Sequence, residues 1–563
     1  MVTVDEVEFT LDLLALFHKS LAFPEVRLTR PAVFLELATD GRKSWLLDLE
    51  QSDEAARVPI GRLTLDHGQL GYEDPRQQTS VLAEISTQNP PIGNSEAAGV
   101  VFAARGLYKS LVFSARGHAG SVLALNDESV PYPLKVEANI GKTSIKADGS
   151  VTSLLKLTAL DMHATLHGES LAALFPLLGI ALPETHPYAT EGRIVRSGKS
   201  WRYEKFSGRV GKSDIAGSLQ VDADGARPFM HGELMSQLLD FDDLGPVIGM
   251  KDKPLAAVRQ RMLPDIPFKT ERWGSIDADV TLRAKTIARA KELPLENLVT
   301  HLKMQNSTLT LDPLDFGLAG GHLKAAISLD GHQNPIQAKA KITARQIQLA
   351  KLFPTVTLTQ ASVGQVNGEI DLTGKGNSVG DMLGSANGRV GLVVASGQIS
   401  KLLMEQVGLH LLEILELSLA GDKNINLRCA VADFSVKNGV LETSALILDT
   451  DVTTITGQGS IDLGREQLDL TLEPKTRNTS LVALRSPIYV KGTFSRPEIT
   501  IDKARVAARG GVAIALGIVN PLLALIPLVE AGPGIQSDCG QLITQANAPL
   551  QKTPAHRRPA SSP

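Results

Sequence analysis

Ser378 lies in Gly376-Asn377-Ser378-Val379-Gly380, a G-x-S-x-G pattern that follows a strand-like run and precedes a helix-like one. Such spacing suits a nucleophile elbow, in which a sharp strand-to-helix turn presents a serine hydroxyl for acyl transfer. The preceding strand alternates polar and apolar residues, however, whereas a hydrolase strand is buried on both faces. No alternation of strands and helices follows either. The competing reading is a glycine-rich turn with Ser378 as the N-cap of a short helix over Val379 to Ser385. A serine hydrolase using Ser378 is the lesser alternative.

His163 and His167 stand four apart, with Glu169 close by. On a helix they could share a metal, but the alternation around them is that of a strand. There they fall on the polar face and point to solvent. The chain has no H-E-x-x-H, no P-loop and no C-x-x-C, and Gly374-Lys375-Gly376 lacks the third glycine of a dinucleotide loop. No cofactor, no metal site and no enzymatic activity is expected. The two cysteines, Cys429 and Cys539, have two open readings. In an oxidising compartment a disulfide between them would tie a C-terminal helix to the sheet, worth a few kcal/mol in the loop-entropy picture. In the cytosol they would be unrelated buried thiols.

The elements that carry these residues are strands. Leu160, Met162, Ala164 and Leu166 alternate with Asp161, His163, Thr165 and His167. Ile276, Ala278, Val280 and Leu282 alternate with Asp277, Asp279, Thr281 and Arg283. Val366, Gly368, Ile370 and Leu372 repeat the pattern, as do Leu468, Leu470 and Leu472, and then Ile488, Val490 and Phe494. Period-2 alternation gives a strand one apolar and one polar face. The polar positions argue against a parallel sheet buried on both sides and for an antiparallel sheet with one wet face. Asp148-Gly149, Asp330-Gly331 and Asn438-Gly439 are expected hairpin turns, and Gly464-Arg465-Glu466 joins two further strands.

Short helices are expected at Leu171 to Leu178, Met235 to Leu244 and Leu349 to Phe353. A longer one is expected from Ile399 to Glu416, with Leu402, Leu403, Gln406, Leu409 and Ile414 near one stripe. Gly510 to Val529 is twenty residues without a charge, the length of a membrane span. Asn520-Pro521, Pro527 and its glycines favour a helix packed on protein or membrane surface instead. The tail from Lys552 reads as disordered.

Composition narrows the class. Lys+Arg number 57 against 61 Asp+Glu, a net charge of −4, which excludes a basic nucleic-acid binder or an acidic tail protein. Two cysteines exclude a disulfide-stapled miniprotein or a Cys-rich zinc protein. Hydrophobic residues at 43% leave material for a large apolar surface. A sheet of this size must close into a barrel, pair with a second sheet, or bury its apolar face against something else. An ordinary sandwich core predicts the same alternation. Met1 to Thr10 has acidic residues and no basic one, so it is no secretory leader, and a literal reading starts the chain in mid-strand in the cytoplasm.

Longer stretches carry a resemblance. LGIALPETHPYATEGRI, GRVGKSDIAGSLQVD and LDFDDLGPVIG fall between Leu171 and Gly249. Further on come LDPLDFGLAGGHLKAAISLDG, IDLTGKGNSVGDMLGSANGRVGLVVASGQISKLLMEQVGL, RCAVADFSVKNGVLETSALILDT and GQGSIDLGREQLDLTLEP. With the opening EVRLTRPAVFLELATDGRKSW, these make nearly the whole chain resemble the AsmA family. Members usually begin with a transmembrane helix and a further strand-rich segment ahead of the stretch matching Met1. The sequence given carries neither, so either a late gene start or a truncated paralogue is expected.

The resemblance implies a mainly β fold, an elongated curved antiparallel sheet forming an apolar groove, with a few short helices and a C-terminal apolar helix. The divisions expected are 1–150, 151–375 and 376–505 for three AsmA-like β regions, 506–550 for the apolar terminal segment and 551–563 for the tail. It also implies a non-enzymatic envelope protein that carries phospholipid between inner and outer membrane and supports outer-membrane assembly. The implied place is the periplasmic side of the inner membrane. Phospholipids, the inner membrane and outer-membrane components are the implied partners, and nucleic acid is not. The alternative is a periplasmic assembly factor that binds outer-membrane protein segments. The groove-facing candidates are Leu160, Met162, Leu166, Ile276, Val280, Leu282, Ile370, Leu372, Leu468, Leu470, Leu472, Ile488, Val490 and Phe494.

Overall fold

The structure, a computed structural model, describes residues 2–11, 23–44, 60–88, 99–121, 131–152, 159–178, 182–244, 262–288, 295–348, 351, 364–394, 397–399, 425–451, 453–476 and 487–501. Nearly all of them are strand. Of 30 strands, 27 belong to one sheet and three to a second. The fold is mainly β, with strands pairing antiparallel to their neighbours in sequence, as the wet-faced alternation requires. The exceptions are Ala32–Glu36, which runs parallel to Gly68–Asp74, and Phe23–Thr29, parallel to Ile60–Asp66 in the small sheet.

The chain divides into two compact units. The first comprises Met1–Val247, Lys269–Thr286 and His301–Ser307. Within it the strands from Gly68–Asp74 to Phe229–Asp240 pair in chain order. The second comprises Ile248–Phe268, Ile287–Thr300 and Thr308–Pro563. There the order runs from Thr308–Leu318 to Arg496–Ile501, with Gly397–Ile399 alongside Ile425–Lys437.

Two-residue turns close many hairpins. Asn438 and Gly439 both have positive φ, 48° and 78°, between the paired ends Lys437 and Val440. This primed turn matches the strand twist, and Asn-Gly is its usual sequence. Asp148-Gly149 is not a turn: it lies in the middle of the strand Thr143–Thr152. The chain reverses earlier, at Gly141-Lys142, where Gly141 has φ +56°. Gly149 serves close packing instead, since a Cβ there would meet the Asp161 carbonyl oxygen at 2.2 Å. Asp330-Gly331 opens a longer loop, in which the Asp330 carboxylate accepts the His332 N–H at 3.0 Å.

The helix expected from Met235 is a second correction. Phe229–Asp240 is a strand, and only Phe241–Leu244 turns, as a 3-10 helix. The Asp214 carboxylate accepts the N–H groups of Gln237 and Leu238 at 2.9 and 2.6 Å, so these donors are unavailable to a helical ladder. Leu171–Leu178 is helical as expected, a 3-10 turn running into a short α-helix. Of the Ile399 to Glu416 helix, Ile399 ends the strand Gly397–Ile399, and the rest lies outside the described residues. Of Leu349 to Phe353 only Lys351 is described. The 510–529 segment and the tail also lie outside them.

Candidate functional site: an apolar face in each unit

Ser378 is 1% exposed, and its Oγ accepts the Asp381 N–H at 3.1 Å at the start of the helix Val379–Gly384. It is a helix cap, not an exposed nucleophile. His163 lies on the polar face, its Nε2 2.7 Å from the Glu191 carboxylate, and His167 is exposed. No group of side chains able to hold a metal occurs among the described residues.

The side chains brought together are the apolar ones. In an antiparallel sheet directly paired residues point to the same side, so a row of partners crosses the strands like a rung. In the second unit one rung runs Leu314, Ala325, Ile342, Ile370, Val390, Phe434. The next runs Ile327, Ala340, Leu372, Gly388, Val436, Leu441, Ile461, Leu468, Gly492. Further rungs carry Gly459, Leu470 and Val490, then Gly457, Leu472 and Ile488. No charged residue occupies a paired position on this side of the unit from Thr308–Leu318 to Arg496–Ile501.

This face is only partly covered. At one end of the strands Ala386, Phe434, Val436 and Leu441 form a packed cluster, beside which the helix Val379–Gly384 lies close. Gly439 permits that approach, because a Cβ there would stand 2.2 Å from the Gly384 carbonyl oxygen. Away from the cluster, Ile342, Ile370, Leu446, Leu448, Leu468, Leu470, Leu472 and Val490 are half-buried, and Leu392 is 37% exposed. There the face holds an apolar cavity of about 360 Å³, lined by Val366, Leu392, Val394, Ala430, Leu446, Leu448, Ile455 and Leu472 among others. The opposite side of the same strands is not uniformly wet. Val393, Val431, Cys429, Asp449 and Thr454 are buried there, and Thr454 Oγ1 donates to Asp449 Oδ1 at 2.6 Å. Cys429 is disulfide-bonded, and Cys539 lies outside the described residues.

The first unit has its own apolar face. One rung runs Ile85, Phe102, Gly117, Val136, Ala147, Ala164, Gly192. Another runs Val100, Ala119, Leu134, Gly149, Met162, Ile194, Tyr203, Leu219, Gly232. The opposite side is laced by ion pairs: Lys135–Asp148 at 3.1 Å, Lys146–Glu137 at 3.1 Å and Arg116–Glu137 at 2.8 Å. Asp161 is joined to Arg193 by two hydrogen bonds, and this guanidinium holds the carboxyl below its ordinary value of 3.8.

The groove candidates therefore fall as follows. Leu160, Met162 and Leu166 sit on the apolar face of the first unit; Ile370, Leu372, Leu468, Leu470, Leu472, Ile488 and Val490 sit on that of the second. Val280 and Leu282 lie in the strand Asp277–Ala288, which Ile276 immediately precedes. Phe494 is not in a strand: it occupies the turn after Ile488–Thr493, where its N–H donates to the Glu466 carbonyl at 2.9 Å. Sequence reading places a hairpin here through Asn438-Gly439 but misses Ala430, Ala432 and Leu446 as cavity-lining positions, because bulges in these strands shift the alternation.

Among the described residues no helix is long and apolar enough to cross a membrane. The model of the AsmA family matches residues 1–109 and 94–446. The chain is 32% identical to the AsmA family protein YhjG of Escherichia coli strain K12, over 97% of this chain and 86% of that protein. No solved structure matches.

Proposed function

The chain belongs to the AsmA family, and from that premise we propose that it carries phospholipid on its apolar faces, in the periplasm, between inner and outer membrane. The observation that supports this most is the incomplete burial of Ile370, Leu392, Leu446, Leu470 and Leu472. In a closed sandwich the inward side chains of one sheet interdigitate with those of the other and lose almost all exposure. A partly exposed apolar face of this extent suits an interaction surface.

Acyl chains suit it chemically. Each buried CH₂ contributes about 0.8 kcal/mol whichever rung it touches. A lipid is then held firmly along its length but at no single position, and it can move from rung to rung without losing all its contacts at once. The headgroup stays at the wet strand ends. The sheet supplies no catalytic group in this reading, and movement needs none. The inner membrane donates or accepts the lipid, and outer-membrane components stand at the other end.

Site-specific photo-crosslinking tests the reading. A photoreactive residue at Leu470 should capture phospholipid in cells, while one at Asp469, exposed on the opposite side and 3.3 Å from Lys491, should not. Capture of polypeptide instead of lipid at Leu470 would favour an assembly factor for outer-membrane proteins.

A further inference from the structure

Among the paired positions of the first unit's apolar face, from Thr79–Gln88 to Phe229–Asp240, one side chain is charged: Arg196. It stands in a rung with Leu160, Trp201, Val221 and Met230. This rung is close to the strand ends, one residue from the hairpin Gly198-Lys199.

The Arg196 guanidinium carbon lies 4.8 Å from the centre of the Trp201 ring. Its Nε donates to the Gly198 carbonyl at 2.9 Å, which fixes the head against the turn. No carboxylate pairs with it among the described residues. Arg193, on the other side of the same strand, is joined to Asp161 and stands 3.6 Å from Glu204. Asp222, next to the Val221 of Arg196's rung, pairs with Ser200 on that other side and is held by Gln220 Nε2 at 3.0 Å. A guanidinium has five N–H donors in a planar fork. With Nε used, the two terminal nitrogens are left to face an acceptor. Trp201, 38% exposed, adds an amphipathic ring of the type that settles at a membrane–water boundary.

We infer that Arg196 and Trp201 form a headgroup station: the guanidinium binds the phosphate of an anionic phospholipid whose acyl chains lie on the neighbouring rungs of Ile194, Tyr203 and Leu219. The assignment rests on the lipid reading of this face. A guanidinium held over an indole beside apolar rungs, with its terminal nitrogens open to water, can exchange that water for a phosphate in a charge-assisted pair. A doubly oxygenated phosphate fits the fork of arginine better than the point charge of lysine. A zwitterionic lipid brings its own ammonium and gains less. Among the described residues the paired positions of the second unit's apolar face, from Thr308–Leu318 to Arg496–Ile501, carry no such cation, so selection falls to the first.

The test uses the full chain incubated with vesicles of equal phosphatidylglycerol and phosphatidylethanolamine, followed by lipid extraction. Wild-type protein should retain the anionic lipid about tenfold over the zwitterionic one, as one charge-assisted hydrogen-bonded contact warrants. Arg196→Gln should lower that preference to about twofold with the total lipid load unchanged, and Arg196→Lys should restore part of it. Arg202→Gln, on the opposite side beside Glu204 at 3.3 Å, should leave it intact. Circular dichroism on each variant checks the fold, and the Lys variant carries the test should the Gln variant not fold. Full lipid uptake with no preference, or a preference that survives Arg196→Gln, overturns the headgroup station alone. Uptake of neither lipid by wild-type protein overturns the lipid reading with it. Inorganic phosphate that binds Arg196 as tightly as the anionic vesicle would assign the site to free phosphate and overturn the lipid source.

Discussion

Glu466 accepts the backbone N–H of Met262 at 2.8 Å across 204 residues of sequence, and that of Leu263 at 3.2 Å. The carboxylate is 5% exposed and sits in the turn between Thr453–Asp462 and Gln467–Thr476. Two further bonds continue the attachment: Gly380 N–H to the Pro264 carbonyl at 2.8 Å, and Phe268 N–H to the Asn377 carbonyl at 2.7 Å. The segment is thus stitched to the same end of the strands where the packed cluster lies, away from the cavity.

Glu466→Ala should therefore destabilise the second unit by about 1 kcal/mol, because two backbone N–H groups at a part-buried contact lose their charged acceptor. Urea unfolding measures this. Lipid load should not change, since neither Met262 nor Glu466 lines the cavity. A shift within experimental error would mean that water replaces the carboxylate without cost.

Apolar positions on the two parts of the second unit's face should respond differently to a charge. Leu470→Asp and Ile370→Glu place a carboxylate on half-buried rungs that water can reach, so the sheet stays folded while lipid is lost. Val436→Asp puts the same charge at a position 2% exposed inside the packed cluster, where it costs several kcal/mol and unfolds the unit. Circular dichroism with lipid extraction separates the two. If Leu470→Asp unfolds like Val436→Asp, the face is a closed core.

Ser378→Ala removes a helix cap and should cost about 1 kcal/mol of stability. Hydrolysis of a chromogenic ester, whatever background the protein shows, should be the same before and after. A loss of ester cleavage would restore the nucleophile reading.

Acid should loosen the first unit through its polar face. The hydrogen bonds from Arg193 hold Asp161 below its ordinary 3.8. A carboxyl depressed in the folded state lends stability that is fully present above the unfolded value and disappears as pH falls through the folded one. The contribution of Asp161 is thus intact at neutral pH and begins to fall only below its ordinary value of 3.8. Asp161→Asn should flatten that part of the stability–pH curve below the carboxyl's ordinary value of 3.8, with little effect of high salt on the variant. An unchanged acid limb would show that the pair adds nothing, as many exposed pairs do.

Much of this architecture is legible in the sequence. The alternation around Leu160, Ile370 and Leu470 gives both the strands and the side each residue faces, because the period-2 geometry of a strand leaves no freedom. Asn438-Gly439 announces its turn for the same reason. The misplaced features share a cause. Asp148-Gly149 has turn chemistry but sits in mid-strand, where the glycine answers a neighbour's carbonyl and not its own φ. The Met235 region has helical spacing, yet Asp214 of the adjacent strand takes its N–H groups. Both depend on partners in the neighbouring strand, which local pattern does not contain. The Arg196–Trp201 contact is hidden likewise: it needs the register of two strands before the lone cation on the apolar side becomes visible.

The central claim is that the apolar faces hold lipid, and native mass spectrometry of the full chain expressed in the periplasm of a Gram-negative host tests it most directly. Several phospholipids per chain are expected on the wild-type protein, and markedly fewer on Leu470→Asp at equal folded content. A folded wild-type chain that flies free of lipid would contradict the account.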